Sequence, residues 1–291
     1  MKDRELRVVW RGWRWFVEPD DASFVGFLAA DEPGWRKLRQ EAFLLERLAA
    51  ADLPVPAVVF EDRTLRLQVR DRIPGIVGQD VERLCFGTAR LPDAAARYGP
   101  DCPLTDRGKR LAEDLGPAVA LLHRAVPVGE ARAMGFADRE PADWARVSSV
   151  LRTHAPDLIS AVFHVQRWES DLPRETGLTH GDLHLSNVAV DPDTGSLSGL
   201  FDFDAACLAH PYEDLKFAPS TGLPFARRML RTYAETTGGQ TSLPLLYRFH
   251  LRAALTHFEH VSPGSDRFPE IIDWSRAALG ALIPEGGAHR G

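Results

Sequence analysis

The sequence predicts an α+β protein of two unequal lobes: a small β-rich lobe over residues 1–73 and a larger, mainly helical lobe over 74–291. Three observations predict it. Short strand-like runs punctuated by turn residues fill the first part, interrupted by one long helical pattern. From about Val77 onward the apolar periodicity is mostly helical. Within that helical part sits one compact hairpin, Val188 to Phe201, with polar residues clustered at both ends. The 291 residues are 44% hydrophobic, ample for a core in each lobe.

In chain order, Leu6 to Trp10 reads as a strand, Arg11-Gly12 as a turn and Arg14 to Glu18 as a second strand. Asp20-Asp21 turn the chain into a third, Ser23 to Leu28. Pro33 then opens a helix to about Ala50, because proline's missing N–H is harmless in a first turn. Its apolar stripe is Trp35, Leu38, Ala42, Leu45 and Leu48, and Glu41 lies at the border of that stripe. A carboxylate there is costly to bury unless it is paired. Asp52 to Pro56 end the helix. Val58 to Phe60 and Leu65 to Val69 form a hairpin across Asp62-Arg63. Leu65, Leu67 and Val69 alternate with Arg66, Gln68 and Arg70, which makes the second strand half-buried. Arg70 to Ile73, before Pro74-Gly75, read as the hinge between lobes.

The second lobe is helical to Leu172 apart from an irregular patch, Cys85 to Leu104. A helix after Thr105 presents Leu111, Leu115, Ala118 and Leu122 on one face, with His123 near its end. Gly135 to Trp168 read as a helical insertion. After Pro211 the chain is helical again, broken at Gly238-Gly239 and Pro263-Gly264. His257, Glu259 and His260 lack metal-site spacing and read as a helix face.

The chemistry gathers in His180 to Asp204, HGDLHLSNVAVDPDTGSLSGLFDFD. Val188 to Val190 and Leu197 to Phe201 pair across Asp191-Pro192-Asp193-Thr194-Gly195, which is strong turn chemistry. Antiparallel pairing sets the start of one strand beside the end of the next, so Asn187 meets Asp202, with Asp182 one short loop away. Asn187, Asp202 and Asp204 then offer oxygen ligands to a hard cation such as Mg²⁺, with Asp204 either touching the metal or supporting it. Asp182 is left to handle a proton. His180, Asp182 and His184 could instead form a transition-metal site of a hydrolase, but that leaves Asn187 and the acidic pair without a role. Asp214 reads as a cap or a brace for the loop.

The order His180-x-Asp182-Leu183-x-x-x-Asn187, a hairpin, then Asp202-Phe203 resembles the protein-kinase signature. Asp204 stands where protein kinases have Gly. The HGDLHxxN loop followed by D-x-D, and the later HPYEDL at His210 to Leu215, are similar to the aminoglycoside phosphotransferase and choline-kinase branch. That resemblance spans nearly the whole chain and implies a kinase-like fold. It implies transfer of the γ-phosphoryl of ATP or GTP, with Mg²⁺, to a hydroxyl of a small polar molecule such as an antibiotic or metabolite. Asp182 would be the catalytic residue and the backbone of Arg70, Asp71 and Arg72 would meet adenine. Glu41, in LRQEAFLLERL, would be the helix carboxylate that pairs with a strand Lys. His123 matches the end of an LxxLH helix.

One position departs from that pattern. Phe27 occupies the place of the strand Lys, and no Lys or Arg lies between Asp20 and Trp35. A substitute cation must come from Arg7, Arg11, Arg14 or Lys37. Arg14 comes first, since it opens the neighbouring strand and would also pair with Glu41. Without such a substitute the chain would be a catalytically impaired, nucleotide-binding regulatory protein. The net charge of −6 argues against nucleic acid or an anionic membrane as partner. Three unpaired-looking cysteines and the absence of a signal-peptide core in MKDRELRVVW predict a cytoplasmic monomer or homodimer.

Overall fold

The structure, a computed structural model, describes residues 6–19, 23–87, 97–99, 101–172 and 176–282. Five strands form the first lobe: β1 Leu6–Arg11, β2 Arg14–Pro19, β3 Phe24–Ala29, β4 Val58–Asp62 and β5 Leu67–Asp71. They make one antiparallel sheet in the order β1-β2-β3-β5-β4. The β1–β2 return is a two-residue turn in which Gly12 adopts φ +64°, a conformation that glycine reaches without strain. It places Arg11 opposite Arg14 and Trp10 opposite Trp15. Helix α1, Glu32–Ala50, is capped by Asp31, whose side chain accepts from Gly34 N at 2.8 Å. Trp35, Leu38, Ala42, Leu45 and Leu48 are all buried, as their spacing predicts. Trp35 and Leu38 pack with Phe27 and Ala29 against the sheet.

The sheet's polarity is inverted. On β5 the alternation holds, but the buried members are Gln68 and Arg70, while Leu65 is 58% exposed and Leu67 and Val69 are half-buried. Register carries the same face across the sheet. Val8, Trp10, Trp15, Phe24 and Phe60 point outward and are exposed. Arg14, Gln68 and Arg70 point inward and are buried. Alternation fixes which residues share a face but not which face meets the core. Here the partner of the sheet is a helix carrying a buried carboxylate, Glu41, so the polar face turns in.

The rest is mainly helical, as expected: α2 Gln79–Phe86, α3 Asp106–Ala125, α4 Val128–Ala133, α5 Trp144–His154 and α6 Ile159–Asp171 precede the central loop. Helices α7 Tyr212–Leu215, α8 Leu223–Thr237, α9 Leu243–Thr256 and α10 Arg267–Leu282 follow it. Gly116 lets α3 press on α8, since a Cβ there would lie 2.6 Å from Met229 O. Most of the irregular patch read from Cys85 to Leu104 lies outside the described residues. Two small two-stranded sheets, β6 Gly177–Thr179 with β9 Cys207–Ala209 and β7 Val188–Val190 with β8 Leu197–Leu200, support the loop between them. Among the described residues no helix is long and apolar enough to cross a membrane.

Candidate active site

The loop from His180 to Asn187 is held from beneath. Asp214, fully buried, accepts from His180 N at 2.8 Å and from Gly181 N at 2.9 Å, and meets His123 Nε2 at 3.0 Å. Burial pushes its carboxyl upward, but His123 and these N–H groups outweigh burial and hold it below the usual range. Asp214 is therefore the brace of the loop, and His123 is part of that brace. Gly181 has φ +83° and no room for a side chain, because a Cβ would lie 2.1 Å from Ala205 O. Lys216 Nζ donates to Gly181 O at 3.0 Å from the other side.

Hairpin register delivers the metal-type residues. Val188 pairs with Leu200, and Phe201 N donates to Asn187 O, so Asn187 and Asp202 meet at the strand ends. Asp191 closes the turn by accepting from the N–H groups of Asp193 and Thr194. Asn187 Nδ2 donates to Asp182 O at 2.8 Å, which leaves the amide oxygen as its available acceptor. Asp202 sits at φ +65°, an uncommon conformation for a residue with a side chain and one found at functional sites. Asp182 is half exposed with His184 Nε2 3.4 Å away, and that imidazole keeps its carboxyl low. Asp204 is pushed up to about 6 by burial first and by the Asp202 charge second, and the Asp182 charge also reaches it. Asn187, Asp202 and Asp204 are thus an all-oxygen set crowded with negative charge, which suits a hard dication.

His180 cannot join His184 on a metal. Its ring is fully buried against Phe203, with Nε2 2.9 Å from Phe201 O. Among the described residues no three His, Cys, Asp or Glu side chains converge as a metal site. The transition-metal reading of His-x-Asp-x-His is corrected accordingly.

Above the loop lies a buried ion cluster. Arg14 Nη1 donates to Glu41 Oε2 at 2.9 Å, and its Nη2 donates to Asp202 Oδ1 at 2.6 Å and lies 3.5 Å from Asp204. Arg70 holds the same Glu41 at 2.6 and 2.8 Å, and Phe203 N donates to Glu41 Oε1 at 3.1 Å. Burial raises the Glu41 carboxyl, but Arg70 and Arg14 overcome it and leave it at about 2. Glu41 is therefore paired, not solvated. Both guanidinium groups contact the Phe27 ring, Arg14 at 5.0 Å and Arg70 at 4.4 Å from its centroid. Two arginines, from the strands on either side of β3, pair with Glu41, the carboxylate expected to pair with a strand cation.

The other candidate cations make no ion pair with Glu41 or Asp202 among the described residues, although Lys37 and Arg11 share the rings of Trp13 and Phe16 with Arg14. Arg7 pairs with Glu18 at 3.8 Å, while Lys37 stacks on Trp13 and Arg11 on Phe16 near the surface. The hinge stretch is tied into the sheet. Arg70 turns its side chain inward, the Asp71 N–H is bonded to Ala57 O, and the Arg72 N–H is bonded to Ser23 O. Those two donors hold the sheet together. Arg70's true role was missed because strand alternation alone cannot show the direction of a face. The signal for it was Glu41, a carboxylate on a buried stripe with only one strand cation assigned to it.

A cavity of about 500 Å³ opens beside Asp182, with Glu82, His184, Phe217, His257, Arg267 and Trp274 among its walls. Of the helix face read at His257 to His260, only His257 reaches it. Glu259 accepts from Asp143 N, and His260 is exposed.

No sequence among curated proteins matches the chain. Solved structures do. The macrolide 2'-phosphotransferase MphH from Brachybacterium faecium aligns at 23% identity over 97% of this chain and 93% of its own, with a TM-score of 0.60. A GDP and kanamycin complex of the aminoglycoside phosphotransferase APH(2")-IIia aligns at 19% identity over 98% and 94%, TM-score 0.62. ADP-bound APH(2'')-Ib aligns at 16% over 97% and 96%, TM-score 0.60. At these identities the likeness shows a shared fold. The family model is stronger: that of the phosphotransferase enzyme family, APH, covers residues 10–246, from the strand before Arg14 to beyond the Asp214 brace. The chain belongs to the phosphotransferase enzyme family.

Proposed function

We propose that this chain moves the γ-phosphoryl group of ATP or GTP to a hydroxyl of a small polar molecule. The observation that carries the reading is the meeting of Asp182, Asn187 and Asp202 at the strand ends, with Arg14 bonded to Asp202. The acceptor oxygen bonds to the γ-phosphorus as the bond from phosphorus to the β–γ bridging oxygen breaks, and a nucleoside diphosphate leaves. Asp182, kept ionised by His184, takes the acceptor's proton. Asn187, Asp202 and Asp204 would hold Mg²⁺, which when bound neutralises the phosphate charge. Arg14 and Arg70 supply cations around Phe27, so the missing strand lysine does not disarm the site in this reading. Nucleotide complexes of GDP and ADP among proteins of this fold support the donor class. A triphosphate donor suits a cytoplasmic enzyme.

Asp182→Asn is the test. It leaves the charge-bearing metal set intact and removes the base, so kcat is expected to fall by about 10²–10⁴ while Mg–nucleotide affinity stays near wild type. The acceptor is found first by a nucleotide-consumption screen over hydroxylated metabolites and antibiotics. Near-normal turnover by the variant would overturn the assignment.

A further inference from the structure

The cavity beside Asp182 carries a charge pattern that suits neither a polycation nor a neutral sugar. Apart from Asp182, the formally charged side chains on its walls are one anion, Glu82, and one cation, Arg267. Among the described residues no ion pair joins these two side chains, and both line the cavity wall. The two histidines on the walls are engaged elsewhere. Burial holds His257 below its ordinary range, with the nearby Arg267 charge lowering it further, and His184 is turned to Asp182. Phe217 and Trp274 face one another with ring centroids 6.2 Å apart. The Trp274 N–H is already given to His250, which leaves ring surface toward the cavity. At about 500 Å³ the space takes a molecule larger than a single small amino acid.

We propose that the acceptor is a hydroxylated zwitterion with an apolar or aromatic body, of the amino-acid or short-peptide class. Its ammonium meets Glu82, its carboxylate meets Arg267, its body lies on Trp274 and Phe217, and its hydroxyl reaches Asp182. This rests on the phosphotransfer reading for its final step but not for its binding. A polycationic acceptor would meet Glu82 and Asp182 but also the guanidinium of Arg267, whose like charge disfavours it.

Calorimetric titration of the full chain tests the class with four probes: L-seryl-L-phenylalanine, its C-terminal amide, its N-acetyl derivative and kanamycin. The zwitterion is expected to bind at least about tenfold tighter than each of the other three, the range for losing one charge-assisted contact. Arg267→Gln should erase the preference over the amide and keep that over the N-acetyl form, and Glu82→Gln should do the reverse. Tighter binding of kanamycin, no measurable binding of the zwitterion, or selectivity untouched by both variants would each overturn the proposal. Mg–ATP titrated into the same samples reads the enzymatic assignment separately. Selective zwitterion binding without nucleotide binding sinks the phosphotransfer reading and leaves the ligand class standing.

Discussion

Replacing Arg14 with alanine separates two roles that the ion cluster combines. The substitution deletes the 2.9 Å contact to Glu41 and the 2.6 Å contact to Asp202. Glu41 does not become an orphan, because Arg70 still grips it at 2.6 and 2.8 Å. Asp202 and Asp204 lose their counter-ion, yet each is about a third exposed and partly hydrated. Removing one partner of a fully buried pair costs about 3–5 kcal/mol, so with these two reliefs we expect roughly 2–3 kcal/mol of lost stability. If Arg14 also steadies Asp202 against the phosphates, Mg–ATP affinity drops by about 1–3 kcal/mol, or roughly 5- to 150-fold in Kd. Denaturant unfolding reads the first quantity and calorimetry of Mg–ATP binding reads the second. The structure also sharpens the companion variant. With two guanidinium groups already within 5.0 Å of the ring centroid, a third cation there is destabilising until Arg14 is gone. Phe27→Lys should therefore harm the wild type and partly rescue Arg14→Ala, a sign change that a double-mutant cycle detects. Wild-type Mg–ATP affinity in folded Arg14→Ala would refute the nucleotide role and leave Arg14 as a structural clamp.

Three further expectations follow from the same geometry. Asp202→Ala should abolish the Mg²⁺ dependence of nucleotide binding, read by titration with and without the ion; an unchanged dependence moves the metal site away from the hairpin end. Glu41 has its folded pKa depressed from 4.5 to about 2, so the stability it adds is complete above 4.5 and lost as pH falls toward 2. The stability gap between wild type and Glu41→Gln should accordingly shrink by roughly 3 kcal/mol across that window, and a flat gap in acid-unfolding curves contradicts the pairing. Asp214→Ala strips the acceptor from two loop N–H groups and from His123, and is expected to cost about 2–4 kcal/mol and to lower kcat with it. Normal melting with normal kcat would show that the loop holds itself.

How much of this was legible in the chain depends on how local the cause is. The catalytic-type loop and hairpin were readable because Asn187 and Asp202 are fixed by one turn, Asp191 to Gly195, whose chemistry lies entirely in sequence. The buried stripe of α1 was readable because a 3.6-residue period needs no partner to be seen. The face of β5 was not. Whether Leu67 and Val69 or Gln68 and Arg70 turn inward is decided by what covers the sheet, and Glu41 belongs to a different element. The same limit hid Arg70, whose place in the hinge motif obscured its side chain, and the use of Asp71 and Arg72 N–H groups in sheet pairing. It also hid Lys216, whose contact with Gly181 joins residues 35 apart.

The ion cluster has a consequence for how the molecule reaches its native state. Arg14 and Glu41 are 27 residues apart, and Arg14 and Asp202 are 188 apart. Helix α1 and the early hairpins can form from local sequence, but a fragment ending before Asp202 sets two buried arginines, Arg14 and Arg70, against the single carboxylate of Glu41. Burying these charges before all of them are present leaves one of them without a counter-ion, a cost comparable to the stability of a whole small domain. The centre of the first lobe is therefore expected to close late, after the hairpin carrying Asp202 has formed, which interrupted refolding would detect. A ribosome releasing this chain must deliver more than two-thirds of it before the sheet of the first 71 residues can finish folding.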